Sequence, residues 1–431
     1  MEDGAKGRGS AGSSGVPDAD GGRDASLAYG LQGSSAAAPP PREPVGLCNL
    51  GRRCYLNAAL QVLFLTPELR GPLLRPQRPR HWTKLLRALS ELFHSLQTST
   101  APVVSPRDDL VSTLDFAYGR RQEDAHDFLT KMLARVAWDL EDHATLGTLI
   151  KDTFYLKQRD SVVCGKCGRS SPKLSEDLGL ALPVPDDLVG GTPASVTAML
   201  DDVFNSKERM VGDDQYDCDR CKQKVDATRS LELTSLPTVL ALQLKRFTYD
   251  ASKEQRRKLH TRVTFPTTLD MRPYMPKDGG STDLSSSYEL YAVIVHKGTA
   301  FFGHYWALIK QNSTWFKFND SKVDPIDESE LQTVFGGDGS EPSAYMLFYR
   351  RRRVAGVPGA GAGAGPGAGP GAGPGVAQSH ISTFAPLVVS PPPRSMHFWL
   401  SSIDWYWYSP PPFHCCCLPP LQSHSHSLLP F

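Results

Sequence analysis

Apolar and polar positions divide the chain into stretches of different period. The run from Tyr55 to Leu65 is apolar almost throughout and stops before Pro67, which predicts a buried helix. His81 to Gln97 carries Trp82, Leu85, Leu86, Leu89, Leu92, Phe93 and Leu96 on one stripe. Gln122 to His143 repeats that spacing with Ala125, Phe128, Leu129, Met132, Leu133, Val136 and Leu140. The Met and aromatic residues in these stripes read as core rather than as ligand contacts. From about residue 150 the period shortens. Apolar or alternating runs at Val239–Phe247, Tyr288–His296, Tyr305–Ile309, Trp315–Phe318 and Ala344–Tyr349 predict strands, and Gln311-Asn312-Ser313 predicts a hairpin turn. Helices first and strands afterwards predict an α+β fold rather than a doubly wound sheet.

Neither end of the chain shows such a period. Residues 1–43 are rich in Gly, Ala, Ser, Pro and Asp and are predicted to be disordered, because they cannot bury enough apolar surface to offset chain entropy. Residues 354–378 form a Gly/Ala/Pro repeat, the composition of a flexible linker. Residues 379–431 are rich in Pro, Ser and His and read as an irregular, disordered tail. The folded unit is therefore expected at 44–353.

Composition narrows the class. Hydrophobic residues make up 40% and charged residues 22%, which supports a sizeable core. Forty-seven basic and 46 acidic side chains leave a formal net charge of +1, no footprint for nucleic acid or an anionic membrane. The polar N-terminus lacks the apolar region of a signal peptide, and no run of 18 apolar residues suggests a membrane span. A cytoplasmic or nuclear protein is expected.

The cysteines and histidines carry the candidate chemistry. Cys164-Gly-Lys-Cys167 and Cys218-Asp-Arg-Cys221 are two C-x-x-C pairs, which in a reducing compartment point to a metal rather than to disulfides. Four thiolates suit tetrahedral zinc with no open position, hence a structural site. The acidic sequence between the pairs argues against a nucleic-acid-binding ribbon.

Cys54 stands where a Gly-containing loop meets the first apolar helix, and the helix dipole there favours the thiolate. Asn49 and the Cys54 backbone N–H are candidate oxyanion donors. His304 opens one predicted strand, and Asn319 and Asp320 end the next, so a hairpin would set either beside the imidazole. Gly303 leaves room for a chain to pass the base. Alone, Cys54 would read as a small buried hydrophobe and His304 as a core histidine. Together they have the arrangement of thiol proteases.

The segments GLCNLGRRCYLN, QEDAHDFL, LQLKRF, and GHYWALIK with WFKFND resemble the cysteine box, glutamine box, Leu-x-x-Arg-Phe motif and histidine box of the ubiquitin-specific protease family, over about residues 46–351. The resemblance implies a papain-like fold with a helical thumb, zinc-ribbon fingers and an antiparallel β palm. It implies cleavage after the C-terminal glycine of ubiquitin, at an isopeptide or peptide bond, with no cofactor for catalysis. Ubiquitin and ubiquitinated proteins are the implied partners.

By motif position Cys54 matches the nucleophile, Asn49 the oxyanion donor and His304 the base. Asn319 matches the third member, with Asp320 next to it, and the motif leaves open which of the two orients the ring. Gln122, Asp124 and Asp127 match positions that meet the ubiquitin tail, whose arginines suit acidic partners. Outside the motif, the two aspartates would read as first-turn helix charges.

The chain departs from the family at Arg52 and Arg53, where a small pair ending in Thr is usual. Their charge favours a thiolate, while their bulk is expected to crowd the channel for a Gly-Gly tail. A ubiquitin-binding pseudoenzyme blocked by these arginines and a zinc-ribbon scaffold without thiol chemistry are the competing readings. The complete set Cys54, Asn49, His304 and Asn319/Asp320 favours the enzyme.

Overall fold

Helix α1 (Cys54–Phe64) is buried along its whole length, all eleven of its residues being covered. A helix buried all round needs apolar side chains all round, and the two polar exceptions, Asn57 and Gln61, are four residues apart and so share one face. That face meets the segment before the helix, where Gln61 Nε2 donates to the Val45 carbonyl at 2.8 Å. These elements belong to a computed structural model that describes residues 43–75, 82–112, 123–186, 194–250, 253–276, 286–337 and 342–352. Residues 1–42, Gln122, the 354–378 repeat and the 379–431 tail lie outside the described residues.

Two longer helices flank α1 and begin three residues after the expected starts at His81 and Gln122, because caps set the first turn. Helix α2 (Lys84–Thr98) starts after Thr83, whose hydroxyl accepts from the Leu86 N–H at 3.3 Å. Helix α3 (Ala125–Leu140) starts after Asp124, whose Oδ1 accepts from the N–H groups of His126 and Asp127 at 2.8 and 3.2 Å. Edge-on ring contacts join them, Tyr55 to Phe128 at 5.6 Å and Phe64 to Phe93 at 5.5 Å.

The sheet is built from β1 (Leu180–Pro183), β2 (Val239–Lys245), β3 (Ser287–Gly298), β4 (Gly303–Gln311), β5 (Thr314–Asn319), β6 (Lys322–Ile326) and β7 (Ser343–Arg351). Their order is β6-β5-β4-β3-β7-β2-β1, with the short strand Thr268–Asp270 beside β3. Neighbours run antiparallel except β2 and β1, which are parallel. Successive residues of β3 face opposite sides: Ala292 and Ile294 join the helical core, while Val293 and Val295 join a second core with helix Val196–Phe204. Both faces are covered, which explains why these strands read as continuous apolar runs. The fold is α+β.

Two tight turns orient the end of the sheet. Asn312-Ser313 joins β4 to β5, and Asp320-Ser321 joins β5 to β6, with φ of +57° at Asn312 and +53° at Asp320. Asn and Asp tolerate this left-handed conformation better than other side chains. Gly46 passes directly under the second turn, where a Cβ would come within 2.5 Å of the Ser321 carbonyl oxygen.

Between residues 144 and 238 the period revealed no element, yet the structure holds a four-stranded sheet of Tyr155–Cys164, Ser170–Leu178, Ala227–Ser235 and Glu208–Met210. Much of it is exposed on both faces, so alternation is lost.

The strand predicted for Val239–Phe247 also ends two residues early, at Lys245, and breaks at Arg246. This arginine is fully buried and donates to four backbone carbonyls: Nε to Ala344 at 2.8 Å, Nη1 to Leu259 and Thr261 at 3.1 and 2.8 Å, and Nη2 to Phe335 at 3.2 Å. It closes the ends of three chain segments at once. Replacing Arg246 with Leu removes all four of these hydrogen bonds, the Phe335 carbonyl keeping only the Val263 N–H at 2.9 Å, and is expected to destabilise the protein by at least about 3 kcal/mol in urea unfolding.

Candidate active site

Cys54 is the first residue of α1 and is 4% exposed. The loop before it turns back on itself, with the Arg53 N–H donating to Asn49 Oδ1 at 3.1 Å. Asn49 is thereby tied to the residue before Cys54 at the helix N-terminus, where the first N–H groups have no helical acceptor.

His304 is the second residue of β4, opposite the end of β5. Its Nε2 lies 2.6 Å from Asn319 Oδ1. A carboxamide oxygen only accepts, so Nε2 carries the ring proton and Nδ1 is left for Cys54. The hydrogen bond to Cys54, with a smaller contribution from Asn319 and against the cost of burial, raises the His304 pKa to about 9.

Asp320 stands further away, with Oδ2 3.9 Å from His304 Nε2. Its carboxylate is taken up elsewhere: Oδ2 accepts from Asn49 Nδ2 at 3.0 Å and Oδ1 from Asn57 Nδ2 at 2.8 Å. Asn319 is thus the residue in contact with the imidazole, and Asp320 ties the Asn49 loop and α1 to the hairpin. Asn49 gives one amide hydrogen to Asp320 and retains a second, the group an oxyanion would need.

Two residues of this neighbourhood escape a reading by motif. Asn57 looks like a chance polar residue in an apolar helix, and its burial is the signal that it has a partner. His296, on β3, is 3% exposed and packs against Tyr305 at 4.5 Å and Phe247 at 5.3 Å. Burial pushes its pKa down to about 3, so it is neutral. Its ring explains Gly303, where a Cβ would come within 2.2 Å of His296 Nε2.

The acidic pair on α3 divides. Asp124 caps the helix with one oxygen and accepts from the Tyr345 hydroxyl at 2.6 Å with the other, and burial raises its pKa. Asp127 is exposed, and the hydrogen bond from neighbouring His126 lowers its pKa. Arg53 turns its guanidinium to Asp108, with Nη1 2.8 Å from Oδ1.

Far from this centre in sequence pattern, Cys164, Cys167, Cys218 and Cys221 converge, with all four sulfurs within 4.8 Å of one another. Cys164 and Cys221 are 3.9 Å apart and Cys167 and Cys218 3.8 Å, against about 3.8 Å for the edge of a tetrahedron with zinc–sulfur bonds of about 2.3 Å. The Cys167 N–H donates to Cys164 Sγ at 3.4 Å, a contact that holds this thiol near 6. The donor set and its spacing fit zinc.

The sequence profile described as ubiquitin carboxyl-terminal hydrolase matches residues 45–349. The chain is 32% identical over 397 residues to ubiquitin carboxyl-terminal hydrolase 47 of Drosophila melanogaster, covering 72% of this chain and 25% of that one. It is 33% identical over 344 residues to ubiquitin carboxyl-terminal hydrolase 48 of Rattus norvegicus, covering 71% and 32%. With ubiquitin carboxyl-terminal hydrolase 47 of Homo sapiens it shares 30% identity over 381 residues, covering 71% and 27%. The chain therefore spans about a quarter to a third of the length of these relatives. With the profile match across most of the chain and the cysteine, histidine and asparagine meeting at one helix end, the chain belongs to the ubiquitin carboxyl-terminal hydrolase family.

Proposed function

We propose that this protein is a deubiquitinating thiol protease, hydrolysing the isopeptide or peptide bond after the C-terminal glycine of ubiquitin. The observation that carries the reading is the chain of contacts from Asn319 to His304 to Cys54 at the N-terminus of α1. Cys54 attacks the scissile carbonyl with its proton already on His304 Nδ1, the form that a pKa of about 9 maintains below that pH. Asn49 and the Cys54 backbone N–H receive the oxyanion. His304 then protonates the leaving amine and activates the water that releases ubiquitin. Asn319 holds the ring in the required tautomer. No cofactor takes part in these steps.

The substrate tail is read as lying against Gln122, Asp124 and Asp127. Asp127 is exposed and free of the capping role that occupies Asp124, so it is the better match for the tail's arginines. Residues 44–353 would form the catalytic domain, papain-like in plan, with the four-stranded sheet as zinc-tipped fingers.

Cys54→Ala is expected to lower turnover of a fluorogenic ubiquitin C-terminal amide by at least about 1,000-fold while ubiquitin binding persists. His304→Ala should be as inactive, and the double variant no worse than either, since base and nucleophile act as a unit. Turnover near wild type in the alanine variants would reject the assignment.

The pH dependence follows from His304. Its folded pKa of about 9 lies above the ordinary 6.5, so the ring stays protonated in the folded protein up to about 9, and the stability this adds is full below about 6.5 and lost as pH rises through about 9. The alkaline limb of kcat/KM is expected near pH 9. Asn319→Ala should move that limb to lower pH; an unmoved limb would show that Asn319 does not bear on the ring.

Zinc, held by Cys164, Cys167, Cys218 and Cys221, would clamp the fingers as a closed structural centre. Elemental analysis is expected to find one zinc per chain, and Cys218→Ser to lose it and destabilise the fingers by on the order of several kcal/mol. Metal-free protein that remains folded and active would exclude the site.

A further inference from the structure

The loop that brings Asn49 to the site has little packing of its own. Leu50, Gly51 and Arg52 are exposed, and a Cβ placed on Gly51 would meet nothing within 4 Å. Gly51 has φ of +115°, a conformation that residues with a side chain rarely adopt. The Asn49 side chain is tied to Asp320 at 3.0 Å, and the two ends of the loop carry further holds.

Both ends are gripped by one neighbouring segment, residues 103–108. At the front, Gly46–Leu47 pairs in parallel with Val103–Val104, and the Cys48 N–H extends the ladder to the Val104 carbonyl at 2.9 Å. At the back stands Arg53. Its N–H donates to Asn49 Oδ1 at 3.1 Å, its carbonyl accepts the first helical bond from Asn57 at 2.9 Å, and its Nη1 meets Asp108 Oδ1 at 2.8 Å. Its side chain is 9% exposed and that of Asp108 64%, so the guanidinium lies inside with its partner at the rim. Arg53 Nε is buried without a hydrogen-bond partner, which leaves the contact with Asp108 as the anchor of the charge.

We infer that Arg53 is a positioning residue, whose ion pair with Asp108 holds the Asn49–Arg53 loop, and with it the Asn49 amide, against the N-terminus of the nucleophile helix. The inference rests on the hydrolase reading above and gives it a part that a small side chain cannot supply. It replaces the expectation from sequence that Arg53 crowds the substrate channel. An obstruction and a tether differ in sign: removing the first speeds the reaction, removing the second slows it. Because a displaced oxyanion donor fails in the transition state and not in substrate binding, the tether acts on kcat.

The test uses the full chain and the fluorogenic ubiquitin amide. Arg53→Ala and Asp108→Asn are each expected to lower kcat about tenfold with KM within about twofold, and the double variant to match the weaker single one. Arg53→Lys, which keeps the charge and most of the reach, should recover part of the loss. Hydrogen exchange of the backbone amides of residues 49–54 should rise in both single variants. A higher kcat/KM in Arg53→Ala, independent losses that multiply in the double variant, or a change confined to KM would overturn the tether. Wild-type protein without turnover would reject the hydrolase reading instead, and the exchange measurement then decides the tether alone: unchanged exchange at residues 49–54 overturns it.

Discussion

One carboxylate joins the two halves of the site. Asp320 sits in a two-residue turn with φ of +53°, and this conformation turns its side chain and its carbonyl toward residues more than 260 positions earlier in the chain. Oδ2 receives Asn49, Oδ1 receives Asn57, and the backbone oxygen receives the Leu47 N–H at 2.8 Å. The loop before the nucleophile, the nucleophile helix and the β5–β6 turn are therefore fixed to one residue. Charge-assisted hydrogen bonds of this kind are worth about 1.5–3 kcal/mol each when sheltered from water. Asp320 is 15% exposed, so much of that strength is retained. The same contacts that stabilise the join between helices and sheet set the distances at the reacting atoms.

The two histidines beside this join show how strongly surroundings outweigh residue type. His304 and His296 are eight positions apart on neighbouring strands. His304 faces a thiol and a carboxamide oxygen, which stabilise its protonated form. His296 faces Tyr305 and Phe247 rings, and burial, followed by the charge of Lys258, disfavours its protonated form. Lys258 is itself buried, donates to the His296 carbonyl at 2.9 Å, and is held down to about 8 by burial and by Arg246. A charged ring at His296 would add a further cation to this buried pair. The neutral histidine instead serves as a flat wedge beneath Gly303, and so beneath the residue that precedes the base.

The four-cysteine cluster is organised by repetition of a local turn. In each C-x-x-C pair the N–H of the residue after the second cysteine donates to the carbonyl of the first: Gly168 to Cys164 at 3.0 Å and Lys222 to Cys218 at 2.7 Å. Both donors have left-handed backbone, φ of +69° at Gly168 and +55° at Lys222. Glycine adopts this without cost, whereas lysine does so under strain. Together the two turns bring the two pairs of sulfurs face to face.

Much of the fold was legible in the chain. The stripes of α2 and α3, the apolar run of α1 and the continuous strands β3, β4 and β7 follow from the period of buried positions, because each element lies against a core that filters side chains locally. The helices start three residues after the expected His81 and Gln122, because the capping oxygens of Thr83 and Asp124 decide the first turn. The exposed sheet at 155–235 had no such filter and left no period.

For the site, the residue types and the order of Cys54, His304 and Asn319 were determined by sequence alone. Only the tertiary structure decided which partner each one takes: Asn319 and not Asp320 on the imidazole, Asp320 on Asn49 and Asn57, Asp124 on its own helix and Tyr345, Arg53 on Asp108. The physical reason is range. Burial and backbone preference act on each residue and its near neighbours, whereas a hydrogen bond between residues 49 and 320 has no local signature until the sheet closes on the helix.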